Sequence, residues 1–97
     1  MKVLRIHTRD WVSEAEIIDD LMIALQAPKW LTRDIDALWD SIVDDNLNGV
    51  RPPFKVIITN TSRATRDIEH SLARLENLFS DLGAAGNAVA FSLHPGR

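Results

Sequence analysis

The sequence predicts an α/β fold, a small three-stranded parallel sheet with helices packed on it in the order β-α-α-β-α-β. Three observations carry that expectation. Short apolar, β-branched runs occur at residues 2–7, 54–59 and 87–93. Stretches with helical spacing of apolar residues separate them. Helical crossovers between successive strands in turn imply parallel pairing with right-handed connections. The 97 residues, 45% apolar and 26% charged, suit one soluble domain spanning 1–97.

In chain order, Lys2-Val-Leu-Arg-Ile-His7 is the first strand. Ser13, with Glu16 three residues on, has the form of a capping box. The helix it opens sets Ile17, Ile18, Leu21, Met22 and Leu25 in an arc of about 140°. Asp19 and Asp20 face away, and Pro28 is expected to end this helix. Pro28 to Leu31 forms a short exposed linker, and Trp30 to Asp45 reads as the next helical stretch, with Thr32 as N-cap. Residues 46–53 are turn-rich. Phe54 to Thr59 is a buried strand, and 60–66 is polar, with room for one loose helical turn. Residues 67–82 form the clearest helix, with Ile68, Leu72, Leu75, Leu78, Phe79 and Leu82 on one face and Gly83 or Gly86 as its C-cap. Asn87 to Leu93 is the third strand, and 94–97 is expected to fray.

The second helix carries the most information. Ile35, Leu38, Trp39 and Ile42 share one apolar arc, while Asp36, Asp40 and Asp44 follow at i, i+4 and i+8 along a polar edge. That edge is locally unfavourable, because like charges four apart cost about 0.2–0.5 kcal/mol per pair. Acids near a helix C-terminus also oppose the macrodipole. A solvated acidic face explains such a stripe blandly, and a surface shaped for a basic partner explains it with purpose.

Charge distribution supports the second explanation. The net charge is −3, yet residues 9–45 hold ten acids against three bases, a balance of −7, and the remainder holds four acids against eight bases, a balance of +4. A nucleic-acid ligand would call for the reverse, so direct nucleic-acid binding is not expected, whereas a basic protein that handles nucleic acid is. No apolar run approaches the roughly 20 residues needed to span a bilayer. The N-terminus lacks the apolar core of a signal peptide. With no cysteine, disulfides and thiolate chemistry are excluded and a cytoplasmic location is expected.

Catalytic equipment is not evident. His7, His70 and His94 lie on separate elements, and Asp67 with His70 is the spacing of a solvated helix face. Asn60 to Ser62 follows a strand but lacks phosphate-loop glycines. Asp36 and Asp40 have no readable apolar pocket to separate their proton affinities. No enzyme activity, metal or cofactor is expected. Among the tryptophans, Trp11 suits a helix staple and Trp39 a core or core-rim position. Trp30 falls in the linker beside the acids, where it either packs inward or, exposed, suits an interface anchor.

Asp36-Ala-Leu-Trp-Asp40, preceded by Asp34-Ile35 and opened by Trp30, resembles the barstar family of ribonuclease inhibitors. That family's signature joins an aromatic, a short glycine-containing loop and Asn-hydrophobic-Asp-Ala-Leu-Trp-Asp in the second helix. The likeness extends to length and element order, and Leu78-Phe79 with Asp81 looks like a further matching segment. It implies a stoichiometric immunity protein of a bacterial toxin–antitoxin pair, monomeric when free, that plugs the active site of a basic ribonuclease or related nuclease toxin. By the resemblance, Asp36 and Asp40 stand at the two key inhibitory positions, Trp30 at an aromatic contact and Asp81 at a supporting acid. The candidate partner-binding set is Trp30, Arg33, Asp34, Asp36, Ala37, Asp40, Asp44 and Asp81. The chain departs from the signature at Leu31-Thr32-Arg33-Asp34, where the glycine is missing and Arg33 would oppose a basic target. The alternative is a non-inhibitory interaction module of the same fold.

Overall fold

A computed structural model describes residues 1–44 and 47–96. Strands β1 (Lys2–His7), β2 (Phe54–Thr59) and β3 (Val89–Leu93) form one sheet in the order β1-β2-β3. Both pairings are parallel, with Leu4 opposite Val56 opposite Phe91 and Ile6 opposite Ile58 opposite Leu93. The helices are α1 (Glu14–Ala24), α2 (Ile35–Val43) and α3 (Arg66–Ala84), with a single 3-10 turn at Thr61–Arg63.

All three helices pack on one face of the sheet. Leu4, Ile6, Phe54, Val56 and Ile58 point into a core with Ile17, Ile18, Leu21, Met22, Leu38, Leu72, Leu75 and Phe79. Phe79 ties α3 to the strands, stacking on Phe91 with centroids 4.9 Å apart and meeting Phe54 edge-on at 6.4 Å, geometries that suit the ring quadrupoles. The alternate residues of β1, Val3, Arg5 and His7, lie exposed on the opposite face. Among the described residues no helix is long and apolar enough to cross a membrane.

The element ends correct several expectations. Helix α1 stops at Ala24, four residues before Pro28, because Gln26 takes a left-handed conformation (φ 57°). The Gln26 amide donates to the Ile23 carbonyl and the Ala27 amide to the Met22 carbonyl, which closes the helix as a Schellman motif with glutamine where glycine is usual. At the other end Ser13 is the N-cap but makes no side-chain capping bond, and Glu16 accepts instead from the Val12 amide at 3.1 Å. Helix α3 closes by the same motif, with Gly86 (φ 97°) at the left-handed position, so Gly83 lies inside the helix. Asn87 is consumed in that closure, its amide donating to the Leu82 carbonyl, so β3 begins two residues later than the apolar run suggests. Residues 94–96 are docked rather than frayed: the His94 amide donates to the Ile58 carbonyl, and Asn60, Thr61 and Ser62 amides donate to the carbonyls of Gly96, His94 and Pro95. Arg97 lies outside the described residues, as do Asp45, the expected end of the acidic helix, and Asn46 at the head of the turn.

One close approach fixes the loop that returns to β2. The Gly49 and Val50 amides donate to the carbonyls of Gln26 and Leu25, each at 3.0 Å. A Cβ on Gly49 would run into the Gln26 side chain, 2.8 Å from its Cβ, so any larger residue there must displace Gln26.

Candidate partner-binding site

Helix α2 begins later than Thr32. Asp34 is its N-cap, with extended backbone and Oδ1 accepting from the Ala37 amide at 2.8 Å. Thr32 plays a different part, its hydroxyl donating to Asp34 Oδ2 at 3.0 Å. These two bonds favour the ionised carboxyl, and the Ala37 amide is the larger reason that Asp34 titrates below the ordinary carboxylate range. The sequence signal was present, since Asp outranks Thr as a cap, but the helical period alone does not say where the chain enters the helix.

The apolar arc packs as its spacing requires. Leu38 and Ile42 are buried, and Ile35, Ala37 and Trp39 are half-buried against the core. The opposite edge leaves Asp36 and Asp40 exposed, one helical turn apart with Cβ atoms about 5–6 Å from each other. Helix α2 ends at Val43, so Asp44 is its C-cap in extended conformation and leaves the helical stripe. Trp30 does not pack inward; it stands 74% exposed. The Leu31 amide donates to the Pro28 carbonyl at 3.3 Å, a tight turn with Trp30 near its tip.

The acids elsewhere on this side are largely engaged. Asp19 meets Arg33 at 2.8 Å, Asp20 meets Arg9 at 3.5 Å, Asp10 meets Arg63 at 2.6 Å and Glu14 meets Arg74 at 3.2 Å. Asp20 also accepts from the Trp11 indole at 2.8 Å, and Glu16 is held by the Val12 amide. Asp36, Asp40 and Asp81 are left with no ion pair or side-chain hydrogen bond among the described residues. Arg63 and Arg74 bring charge from outside residues 9–45, while Arg9 and Arg33 pair within it, so the acids around α1 are neutralised locally and those of α2 are not.

Asp36 and Asp81 line the same groove. It lies between α2 and α3, holds about 330 Å³, and is walled by Ile35, Trp39, Leu78, Asn77 and Arg74. The sequence pointed to Asp81 but not to Asn77 or Arg74, which the packing of two helices brings alongside. Among the described residues no group of His, Asp and Glu side chains is arranged to hold a metal ion. The arrangement offers exposed carboxylates, an exposed tryptophan and a groove with an apolar floor between two acids. A family model described as Barstar (barnase inhibitor) matches residues 1–94. No individual curated protein matches the chain.

Proposed function

The chain belongs to the barstar family, an inhibitor family directed at barnase-type ribonucleases, and from that premise we propose that it blocks a basic ribonuclease toxin by seating α2 and the loop before it in the enzyme's active site. The observation that carries this reading is where bare acids gather: Asp67, Glu69 and Glu76 are also unpaired but lie elsewhere on α3, whereas Asp36 and Asp81 share one groove and Asp40 follows Asp36 on the exposed edge of α2. Four acids around α1 are paired with arginines, while Asp36, Asp40 and Asp81 present bare carboxylates on one surface.

The chemistry follows from what a ribonuclease site must contain. Cationic side chains that hold a phosphodiester accept carboxylate oxygens in place of phosphate oxygens. Asp36 and Asp40, one turn apart on the exposed edge of the helix, are the two phosphate mimics in this reading. A cationic side chain of the enzyme sits between Asp36 and Asp81 in the groove that Trp39 also lines, with the groove's own Arg74 neutralised by Glu14. Trp30, rigid and exposed, covers an apolar rim of the target. Ala37, half-buried beside Asp40, keeps that flank of the helix small, and Asp34 acts at second hand as the cap that starts the helix. Asp44, beyond the helix, adds to the field rather than to the plug. The inhibitor acts stoichiometrically, without turnover, in the cytoplasm of the toxin-producing bacterial cell.

The test is a titration of barnase activity on RNA with the purified chain. Activity falling linearly to zero at one equivalent supports the proposal. Binding without loss of activity gives the interaction-module reading instead, and no binding at all removes barnase as the target.

A further inference from the structure

Arg33 is out of place on a surface addressed to a cationic enzyme, and its contacts explain its presence. Its Nε donates to Asp19 Oδ1 on α1 at 2.8 Å. One terminal nitrogen donates to the Leu31 carbonyl at 3.0 Å and reaches the Met22 sulfur at 3.1 Å. The side chain is 23% exposed, and Met22 is wholly buried. One planar group therefore grips a carboxylate on α1, a sulfur in the core and a carbonyl at the exit of the turn that displays Trp30. From this geometry we infer that Arg33 is a positioning residue for ribonuclease binding: it latches the Pro28–Asp34 loop to α1 and so fixes Trp30 and the Asp34 cap before the enzyme arrives. The inference rests on the proposed function for what the loop binds, but not for how the loop is held.

Three features favour a latch over a direct contact. The loop contains no glycine, and its conformation is secured by side-chain bonds rather than by a special backbone geometry. Asp19 neutralises Arg33 at ion-pair distance, which removes the repulsion a bare cation would present to a basic partner. Two of the three guanidinium nitrogens are used, Nε on Asp19 and one terminal nitrogen on the Leu31 carbonyl and Met22 sulfur, a spread of donors that the single nitrogen of a lysine ammonium cannot reproduce. Ordering a recognition loop in advance reduces the entropy lost on association and appears as tighter binding.

Charge and positioning make opposite forecasts for one substitution, which is what makes the inference testable. Arg33→Ala renders the binding surface one unit more negative. An electrostatic role alone gives faster association with barnase and equal or tighter inhibition. A latch gives loosened amides at residues 30–34 in the free chain, by hydrogen exchange, and dissociation faster by about tenfold. Arg33→Lys, which keeps the charge, is expected to fall between Arg33→Ala and the unaltered chain in both readouts, and Asp19→Asn to loosen the same amides. Thermal unfolding of each variant checks that the core is intact; should Arg33→Ala not fold, the lysine and Asp19 variants decide alone. The latch is overturned if exchange in the loop is unchanged. It is equally overturned if Arg33→Ala inhibits as well as the unaltered chain while Asp40→Ala does not, or if inhibition is lost with the loop still protected. Failure of the unaltered chain to inhibit barnase would defeat the proposed function, and the exchange measurement would still report whether Arg33 holds the loop.

Discussion

Replacing Asp40 by alanine is expected to raise the stability of the free chain and weaken its grip on the enzyme. Asp40 lies in the last turn of the nine-residue helix α2, where its charge opposes the helix dipole by about 0.3–1 kcal/mol at low salt. It faces Asp36 one turn earlier, a like-charge pair that costs about 0.2–0.5 kcal/mol. Aspartate is also a poorer helix former than alanine by up to about 0.7 kcal/mol. With no ion pair or side-chain hydrogen bond to lose among the described residues, these contributions run in one direction and total about 0.5–2 kcal/mol. For a domain of this size each kcal/mol moves the melting temperature by about 4–8 °C. In the complex the balance reverses. A carboxylate buried against cationic groups leaves an uncompensated charge when removed, and that costs about 3–5 kcal/mol, a hundredfold or more in affinity. Calorimetric melting of the free variant and its inhibition constant with barnase measure the two sides. A variant that melts lower than the unaltered chain would show that Asp40 has a structural partner and would refute the reasoning. One that inhibits undiminished would remove Asp40 from the interface.

Trp30→Ala, at a 74% exposed position, should leave thermal stability within about 0.5 kcal/mol and weaken inhibition by about 2 kcal/mol if the ring is an interface anchor; paired melting and inhibition curves separate the two. The carboxyl of Asp34 titrates below its unfolded value, so the stability it supplies is present above the ordinary carboxylate range and is lost as pH falls through the depressed folded value. Asp34→Asn, which keeps an acceptor for the Ala37 amide but cannot titrate, should flatten the stability profile across that acid window, as urea unfolding at a series of pH values would show. Gly49→Ala should destabilise by about 1–3 kcal/mol through overpacking against Gln26, and trimming that side chain in the double variant Gln26→Ala, Gly49→Ala should recover part of the loss in the same denaturation assay.

The fold was legible because each element announces itself by one strong signal. Phe54 to Thr59 is almost uninterrupted apolar sequence and is the central strand, while the six large apolar residues of α3 are all buried. Boundaries were less legible because tertiary bonds set them. Gln26 adopts a left-handed turn that its residue type does not advertise, and its carbonyl is taken up by Gly49. The 94–96 segment is polar and terminal, with no periodicity to reveal that amides 60–62 would bind it. At the candidate site the acids of α2 and their exposure followed from spacing. Which acids stay bare did not, since it depends on Arg9, Arg33, Arg63 and Arg74 arriving from other elements. Trp30 was undecided between inward and outward until the turn at Pro28–Leu31 placed it.

The central claim is that the acid-bearing helix and the loop before it form the surface that meets the enzyme. Amide hydrogen exchange of the chain, free and saturated with catalytically inactive barnase, tests it most directly. Protection gained at residues 30–40 and around Asp81, with amides on the open face of the sheet at Arg5, Lys55 and Ser92 unchanged, is the result expected. Protection gained on that sheet face, with α2 exchanging as in the free chain, would contradict it.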